Sequence, residues 1–432
     1  MKFARRTVLS GLTLLAAGAW EPVLAAATPD KTKDLQLELE RAIQRSGVLR
    51  LPAGTFTTPG LKIGGSIRLE GIAGRTRIVS ENGGPVLVIL DTEDVTVSGI
   101  TFEGTDAPPT DDNRGAALVM ARNVQGLVIE SCKFISSRLA GLRLEASSGR
   151  IAHNQFAGIE DAGLLALDSR GLEISGNHLH GIGNNGIQVW ASQANEDGTI
   201  VSNNRIERVN ANGGGTGQNG NGINVYRAGN VMIAGNRISD CAFSAVRNNS
   251  GSNCQITGNS ISRTGEVAIY CEFAFEGAVV SSNLIEDVAF GISITNFNEG
   301  GRLAVIANNV VRNVKGGGTL EYTSAIGIAA EADAQVTGNV IESASDTGIS
   351  LGWGQYCRNL SATSNTIRNC GRGISFSVSP GAGPVMITNN RIAGAKTASI
   401  IGMNHQEPAT ADLGLPNATP PAQGLISGNV VS

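Results

Sequence analysis

Polar and aromatic side chains recur at fixed places after a repeated Gly-Ile-x-Val phrase, which begins at Gly186, Gly222, Gly291 and Gly373. Because side chains alternate between the two faces of a strand, the Ile and Val positions point inward and the residues after them point outward. The outward pairs are Arg143 and Glu145, Gln188 and Trp190, Asn224 and Tyr226, Arg247 and Asn249, Tyr270 and Glu272, Ser293 and Thr295, Ser350 and Gly352, and Ser375 and Ser377. The middle repeats therefore present aromatic, cationic, amide and acidic groups, whereas the later repeats present small ones.

This set of side chains suits a saccharide. Aromatic rings offer flat apolar faces to sugar rings, while Arg and Asn bind carboxylates and hydroxyls. The predicted substrate-binding residues are Arg143, Glu145, Gln188, Trp190, Asn224, Asn249 and Glu272. The alternative is an ordinary solvated sheet face with scattered aromatics.

The same residues could carry chemistry on a uronate sugar. Elimination or epimerisation there needs a base for the C5 proton and a cation for the carboxylate. The residues predicted for these roles are Arg247, Tyr270, Tyr226, His180 and Arg143. His178 and His180 flank an inward Leu179, so both imidazoles are expected to point outward.

Two other functions compete with this one. Glycoside hydrolysis needs two carboxyl groups roughly 5 to 10 Å apart, and only Glu145 with Asp168 meets that requirement, since Glu272 has no acidic neighbour one repeat away. A rigid protein could instead bind an envelope or extracellular glycan without altering it. Gly213 to Gly217 is no phosphate-binding loop, because the Lys-Ser/Thr of that motif is missing.

A second repeated phrase, centred on Asn, must position these side chains. Two alternating apolar residues precede the Asn and a third follows two places later, as in Val231 to Ile238. The Asn residues are Asn154, Asn177, Asn204, Asn236, Asn259, Asn283, Asn309, Asn339, Asn365, Asn390 and Asn429. Their spacing, mostly about 22 to 32 residues, is typical of a solenoid.

Each repeat is predicted to form three short strands, because apolar residues alternate with period two and are often β-branched. No repeat can bury its apolar face alone, so neighbouring repeats must stack as coils of a parallel β-helix. Stacking places each Asn about 4.8 Å from the next, where side-chain amides can hydrogen-bond along a ladder. An exposed turn would explain one such Asn, but the recurrence in one frame favours an interior ladder.

Composition agrees with one long all-β domain. The chain has 432 residues, with Gly 57, aromatic 4% and charged 16%. A single globular core would not usually grow this large, whereas a solenoid grows by adding coils. The net charge of -4 gives no basic field for nucleic acid, and no apolar run is long enough to predict a membrane span.

The N-terminal segment reads as a cleavable export signal. Arg5 and Arg6 precede a modest apolar run, and small residues follow at Ala25 to Ala27. The paired Arg indicates the twin-arginine route, with an ordinary secretory signal or an uncleaved anchor as the alternative. The mature protein is therefore expected to be periplasmic or secreted, with no membrane span after cleavage.

The remainder is predicted to begin with a cap. The stretch from Asp34 to Ser46 has one apolar helical face, and Gly47 ends it. Such a helix covers the otherwise open first coil. The predicted division of the chain is an export signal over 1–27, a cap helix with a leading strand over 28–60, and the β-helix over 61–432.

Insertions mark the faces that carry loops. The insertions run over Asp106 to Arg114, Asn210 to Asn221, Lys315 to Ser324 and Met403 to Gln423. The second, nearly all Gly and Asn, emerges beside the middle repeats, where it could cover a cleft. The last either folds back as a cap, or a partner covers the open C-terminal coil and makes the protein an oligomer.

Six cysteines follow the export signal: Cys132, Cys241, Cys254, Cys271, Cys357 and Cys370. Their number permits disulfides in an exported protein. Cys132 stands at an Asn position and Cys271 at an inward strand position, where buried thiols are expected. No Cys-x-x-Cys or zinc spacing occurs.

The order of strand, Gly-Asn turn, strand, loop and Gly-Ile-x-Val strand resembles the pectate-lyase-like superfamily, and the stretch from Leu51 to Phe56 is similar to the start of many members. The resemblance covers nearly all of the mature chain. With Arg5 and Arg6, the chain also looks like a family of twin-arginine-translocated β-helical repeat proteins whose function is not established. The resemblance to the superfamily implies a single-stranded right-handed parallel β-helix, here of about 11–12 coils with an N-terminal capping helix.

The resemblance further implies that the outer face of the Gly-Ile-x-Val sheet lines the substrate cleft. The best-known members also use an acidic calcium cluster, and the middle repeats carry none; the only tight acidic pair, Asp111 with Asp112, reads as a solvated loop. Calcium is thus the one cofactor that the resemblance suggests, and the sequence predicts no residues that would bind it. The several-Asp pattern and Gly-His-Gly motif of β-helical polygalacturonases are absent, which ranks hydrolysis below elimination.

Together these features predict an exported β-helix protein that binds an acidic polysaccharide. If it is an enzyme, lyase or epimerase chemistry is expected in the cleft. The first alternative is a non-catalytic glycan-binding or structural envelope solenoid, and the second is a glycoside hydrolase.

Overall fold

A computed structural model describes residues 32–108, 115–319 and 324–432. The predicted export signal, and the pair Asp111 and Asp112, lie outside the described residues, so those predictions stay predictions. Within the described part of the chain, no helix is long and apolar enough to cross a membrane.

The described chain winds into a parallel β-helix with three long sheets. Each of the first 14 coils gives one strand to each sheet, each sheet contains 15 strands, and the strands are numbered β1 to β45 in chain order. The first sheet consists of β1 (Val48–Arg50), β4 (Ile67–Glu70), β7 (Val95–Ser98), β10 (Leu127–Glu130), β13 (Gly149–Ala152), β16 (Glu173–Ser175), β19 (Ile200–Ser202), β22 (Met232–Ala234), β25 (Cys254–Thr257), β28 (Glu276–Ser281), β31 (Arg302–Ala307), β34 (Ala334–Thr337), β37 (Leu360–Thr363), β40 (Val385–Thr388) and β44 (Gly424–Ser427).

The second sheet follows the turn that carries the repeated Asn in most coils. It consists of β2 (Gly54–Thr58), β5 (Thr76–Ser80), β8 (Ile100–Glu103), β11 (Lys133–Ser137), β14 (Gln155–Ile159), β17 (His178–Ile182), β20 (Arg205–Val209), β23 (Arg237–Cys241), β26 (Ser260–Thr264), β29 (Leu284–Val288), β32 (Val310–Val314), β35 (Val340–Ala344), β38 (Thr366–Arg368), β41 (Arg391–Ala393) and β45 (Val430–Val431).

The third sheet contains the Gly-Ile-x-Val strands. It consists of β3 (Leu61–Ile63), β6 (Leu87–Glu93), β9 (Ala117–Gln125), β12 (Ala140–Glu145), β15 (Leu164–Leu167), β18 (Ile187–Glu196), β21 (Ile223–Gly229), β24 (Val246–Asn249), β27 (Val267–Glu272), β30 (Phe290–Ile294), β33 (Ile326–Ala330), β36 (Thr347–Leu351), β39 (Arg372–Ser377), β42 (Ala398–Asn404) and β43 (Glu407–Pro408). A short 3-10 helix, Phe297–Glu299, lies in the turn after β30.

The solenoid is longer than the sequence predicted. The sheets make up 14 complete coils against the 11–12 expected, and their first strands, β1 and β2, begin at Val48 and Gly54. The first coils lack the repeated Asn and Gly-Ile-x-Val motifs on which the expected number of coils rests. Their pairing reveals them: Leu69 lies opposite Val97, which lies opposite Ile129.

The Asn residues form the predicted interior ladder. Asn236 is fully buried, and its Nδ2 donates to the Val201 carbonyl at 2.9 Å and to Asn259 Oδ1 at 3.0 Å. Its Oδ1 accepts from the backbone N and Nδ2 of Asn204 at 2.9 and 3.0 Å. Each side chain thus satisfies a buried N–H and a buried carbonyl of the preceding coil and bonds to the side-chain amide of the next coil, which is why Asn recurs at this turn.

The glycine of the Gly-Ile-x-Val phrase is required by close packing between coils. A Cβ at Gly222 would lie 2.7 Å from the carbonyl oxygen of Ala245 and 2.6 Å from the Ile238 side chain. A Cβ at Gly186 would lie 2.4 Å from the carbonyl oxygen of Gly222. No larger residue fits where the chain enters these strands of the third sheet.

The predicted cap helix, α1, spans Thr32–Arg45. Its Leu35, Leu39 and Ala42 are buried against the first coil. Gly47 ends it in a left-handed conformation with φ 63, and its N–H donates to the Ala42 carbonyl at 2.8 Å.

The last insertion folds back over the third sheet. Its strand β43 pairs antiparallel with β42. The Asp412 carboxylate accepts from the backbone N–H of Ser399 and Ile400 at 2.9 and 3.1 Å, and Thr410 Oγ1 accepts from that of Gly402 at 2.9 Å. These contacts satisfy backbone groups at the edge of β42, so the insertion folds back as a cap on this sheet, as the first alternative predicted. Oligomer formation stays a prediction.

All six cysteines are buried and unpaired. Cys132 occupies the first ladder position, where its backbone N–H donates to Asn154 Oδ1 at 2.9 Å. Burial raises the pKa of the Cys132 and Cys271 thiols to about 12. The expectation of buried thiols at these two positions is confirmed.

Candidate functional site

The third sheet carries two columns of outward side chains. The first column runs Arg143, Leu165, Gln188, Asn224, Arg247, Tyr270 and Ser293. The second runs Glu145, Leu167, Trp190, Tyr226, Asn249 and Glu272. Stacking therefore brings the predicted residues of the middle coils side by side.

One predicted acid does not take its expected place. Leu165 and Leu167 occupy the two column positions of their coil, while Asp168 follows β15 in a left-handed conformation with φ 51. Its carboxylate accepts from the N–H and Oγ of Ser192 at 2.7 and 2.6 Å. The prediction that Asp168 takes an outward column position in this coil is therefore wrong, because β15 ends one residue before it and Leu167 lies opposite Glu145.

The two leucines also separate the first predicted pair from the others. Arg143 Nε donates to Glu145 Oε1 at 2.7 Å. The two side chains line a small cavity of about 150 Å³ with Met120 and Arg122. Arg143 and Glu145 thus form a site of their own rather than a part of the middle cluster.

His180 does not join the predicted catalytic residues. It lies on β17 in the second sheet, between Ala157 and Glu207 of the neighbouring strands. Its neighbour His178 contacts Glu207 through Nε2 at 3.2 Å. Alternation predicted correctly that both point outward, but the prediction that His180 shares a site with Arg247 is wrong, because the Asn phrase that it follows leads into the second sheet.

The middle coils enclose a cavity of about 370 Å³. It is lined by Trp190, Thr216, Gln218, Asn224, Tyr226, Arg247, Asn249 and Phe273. The rings of Trp190 and Tyr226 meet edge to face with centroids 6.1 Å apart, and Trp190 Nε1 donates to Asn224 Oδ1 at 3.3 Å. Predicted binding and catalytic residues thus share one cavity, and Gln188 lies beside Asn224 on the adjacent strand.

The Gly- and Asn-rich insertion forms one wall of this cavity. The Gly217 carbonyl accepts from Arg247 Nη1 at 2.8 Å and from Asn221 Nδ2 at 2.9 Å. The Gln218 carbonyl accepts from Asn185 Nδ2 at 3.1 Å. The expected covering loop is therefore tied to the floor by buried amides, and its residues Thr216 and Gln218 face the cavity.

A buried charge cluster lies beside the cavity. Arg247 donates through Nε and Nη2 to the two carboxylate oxygens of Glu272 at 2.6 and 2.9 Å, and through Nη1 to Glu266 Oε2 at 3.1 Å. The side chains are 12% exposed for Arg247, 8% for Glu266 and 3% for Glu272. Asn249 Nδ2 also donates to Glu272 Oε1 at 3.0 Å. A single guanidinium thus holds two carboxylates.

Burial sets the protonation of this cluster. It raises the pKa of Glu266, an effect that Arg247 opposes. Burial, together with the charge of Glu272, raises the pKa of Tyr270 to about 12. Burial disfavours the charge of Arg247, but its hydrogen bonds to Glu272 hold its pKa above the usual value. At neutral pH, Tyr270 is therefore a protonated phenol beside a charged guanidinium, whose carbon lies 5.1 Å from its ring centroid.

Sequence reasoning missed Glu266. It lies in the turn before β27, where strand alternation does not say which way a side chain points. Its position directly ahead of a strand with two predicted site residues, Tyr270 and Glu272, was the available signal. No three His, Cys, Asp or Glu side chains come together as a metal site within residues 32–108, 115–319 and 324–432, so calcium binding stays a prediction.

Several solved structures are similar to this chain. PfbA, a surface adhesin of Streptococcus pneumoniae, is 17% identical, with 89% of this chain and 91% of that chain covered and a TM-score of 0.47. The catalytic unit of a thermostable GH87 α-1,3-glucanase from Streptomyces thermodiastaticus strain HF3-3 is 15% identical, with 96% and 70% covered and a TM-score of 0.45. A hyperthermoactive exopolygalacturonase from Thermotoga maritima is 13% identical, with 91% and 87% covered and a TM-score of 0.38.

No curated protein matched the sequence. A family described as "Right handed beta helix region" matches residues 62–206 and 194–329, which together make up more than half of the chain. The coil-by-coil pairing of the three sheets agrees with that description. The chain belongs to the right-handed β-helix family.

Proposed function

We propose that this protein binds a saccharide chain on the outer face of the third sheet. The observation that carries the proposal is the cavity in which Trp190 and Tyr226 stand beside the amides of Asn224, Asn249 and Gln218. Such a cavity offers aromatic rings together with a few hydrogen-bonding groups that point toward one place. A sugar ring has both apolar faces and hydroxyl groups, so it can use both kinds of contact.

The pairing of the two predicted carboxylate-binding cations favours a neutral saccharide over an acidic one. Arg143 and Arg247, the cations predicted to hold a uronate carboxylate, are both paired with glutamates. Glu266 adds a second acid to the Arg247 cluster. A uronate would have to displace a buried carboxylate from Arg247, which costs more than leaving the cluster intact.

The same contacts work against the elimination chemistry that the sequence predicted. Arg247 already uses Nε, Nη1 and Nη2 inside the protein. The raised pKa of Tyr270, about 12, makes its phenolate a scarce base at neutral pH. Lyase or epimerase activity therefore ranks below binding.

Glycoside hydrolysis is the second candidate function, because the carboxyl groups of Glu266 and Glu272 both accept hydrogen bonds from the Arg247 guanidinium. Glu266, whose pKa is raised, would donate the proton to the leaving oxygen, and Glu272 would be the second carboxylate. Both are almost fully buried. Catalysis would therefore need a ligand that reaches the cluster through the cavity, which is why binding is proposed first.

The proposal is tested with neutral polymers (laminarin, xylan and a soluble cellulose derivative) and uronate polymers (pectate and alginate). Binding is followed by tryptophan fluorescence and by retardation in gels that contain the polymer. Trp190→Ala is expected to weaken binding of the preferred polymer by about tenfold or more, the usual cost of removing a central aromatic anchor. His180→Ala, on the second sheet, is the matched control and should bind as the unaltered protein does.

Three outcomes would count against these assignments. Absence of binding to every polymer would contradict the binding function, and equal effects of the two variants would contradict the location. Strongest binding to pectate or alginate, or a rise in ultraviolet absorbance from unsaturated chain ends, would restore the acidic-polysaccharide and lyase predictions. New reducing ends that disappear in Glu266→Gln would instead establish hydrolysis.

A further inference from the structure

Two more cavities lie along the third sheet beyond the Arg247 cluster. A second cavity, of about 380 Å³, has Glu266 and Tyr270 at one end and Trp353 at the other. A third, of about 330 Å³, extends from Trp353 to His405. Trp353 lines both cavities and therefore stands where they meet.

Trp353 is held in a defined orientation. It follows β36 and Gly352, and it exchanges two backbone hydrogen bonds with Tyr356, at 3.0 and 2.9 Å, across a tight turn. Its ring meets His405 edge to face, with centroids 5.5 Å apart and an interplanar angle of 84°. The residue is 44% exposed. An aromatic ring is thus fixed at the edge of the sheet with much of its surface open to solvent.

The floor beside Trp353 is made of small hydroxyl side chains. Ser375 Oγ donates to Ser350 Oγ at 3.2 Å, and Ser377 lines the same cavity. Arg372 closes the far wall and is already paired with Asp346. The cavity therefore repeats the chemistry of the first one: an aromatic ring beside neutral hydrogen-bonding groups, with its cation neutralised.

Between Tyr270 and Trp353 the first column of the third sheet presents small side chains. The first column continues from Tyr270 through Ser293, Ala329 and Ser350. Five strand-to-strand steps separate Tyr226 on β21 from the end of β36. At about 4.8 Å per step the aromatic sites are roughly 24 Å apart along the solenoid axis.

From this geometry we propose that the cleft at Trp353 and His405 is a second saccharide subsite, and that the ligand is a linear neutral saccharide chain lying parallel to the solenoid axis. The chain contacts Tyr226 and Trp190 at one end and Trp353 at the other, and it crosses the Arg247 cluster between them. This inference rests on the proposed function, since it assigns the length and direction of the same ligand.

The test measures affinity against chain length. Size-graded oligosaccharides of the cello, laminari and xylo series, from disaccharide to decasaccharide, are titrated against the unaltered protein, Trp353→Ala and Trp353→Phe. We expect affinity to rise in a step once the oligosaccharide spans both aromatic sites. Trp353→Ala should remove that step, about tenfold in the dissociation constant, leave shorter oligosaccharides unaffected, and be partly restored by Trp353→Phe.

Leu303→Ala, which alters a 48% exposed side chain on the first sheet, is the control for nonspecific effects. Retained binding of the short oligosaccharides shows that Trp353→Ala is folded. If oligosaccharides bind but Trp353→Ala keeps the full step, the second subsite is refuted while the proposed function stands. If no oligosaccharide of any length binds the unaltered protein, both are refuted.

Discussion

Replacing Arg247 with methionine tests whether the guanidinium is a structural partner of buried acids or a free cation for a ligand. The substitution keeps much of the aliphatic stem and removes the charge. It leaves Glu272 and Glu266, which are 3% and 8% exposed, without their partner. It also removes one of the two donors to the Gly217 carbonyl in the covering loop; Asn221 Nδ2 is the other.

The magnitude follows from the burial of the two acids. Breaking a buried ion pair by removing one partner costs about 3–5 kcal/mol, because the remaining charge stays desolvated. Arg143→Met is the matched control, since Arg143 stands in the same column and pairs with Glu145, but the two side chains are 22% and 24% exposed. Water can solvate Glu145 after that substitution, so we expect a loss of about 1 kcal/mol or less.

Urea unfolding of both variants at pH 7, followed by circular dichroism, measures the two losses. A third protein, which combines Arg247→Met with Glu266→Gln and Glu272→Gln, should recover much of the loss, because it removes the unpaired charges as well. The recovery separates charge burial from lost packing.

Equal losses in Arg247→Met and Arg143→Met would refute the reasoning. That result would mean that water or mobile groups reach Glu272 and Glu266 readily. Arg247 would then be available to a ligand carboxylate, and the prediction of an acidic polysaccharide would regain its basis.

Two further predictions concern the ladder and the pKa of Glu266. Asn236→Ala leaves the Asn204 N–H buried without its partner and removes one hydrogen bond to the Val201 carbonyl, which should cost roughly 1–3 kcal/mol in the free energy of unfolding. Asn429→Ala, in a half-exposed coil where water can replace the lost contacts, should cost less than about 1 kcal/mol. Equal losses would contradict an interior ladder. The pKa of Glu266 is higher in the folded protein than in the unfolded chain. Its contribution to stability is therefore fully present below the pKa of the unfolded chain, about 4.3, and is lost as the pH rises through the pKa of the folded protein. The stability of Glu266→Gln relative to the unaltered protein should therefore increase from about pH 4 to pH 7. Urea unfolding midpoints of both proteins at the two pH values measure this difference. A difference in stability that does not change with pH would contradict a raised pKa of Glu266.

The repeat rules in the sequence predicted the fold and the strand positions of much of the candidate site. Asn236 and its counterparts recur in one frame, and only stacked coils bring them within hydrogen-bonding distance. Period-two alternation then assigned outward positions on each strand, including Trp190, Tyr226 and Arg247. These inferences succeeded because both rules are local and the β-helix repeats them coil after coil.

Turns follow no such rule, and there the tertiary structure decided. Glu266 reaches Arg247 from the turn before β27, Asp168 bonds to Ser192 beyond the end of β15, and Trp353 stands on a hairpin after β36. Turn lengths differ from coil to coil, so their side-chain directions depend on what the neighbouring coils leave open.

The sequence by itself therefore determined a parallel β-helix with an Asn ladder, a helical cap and two columns of outward side chains. Only the tertiary structure decided that the two carboxylates on Arg247 come from one coil, that His180 lies on another sheet, and that Trp353 lines two further cavities along the third sheet. The physical reason is that strand alternation and stacking are encoded within each repeat, whereas the cavities arise between turns of different coils.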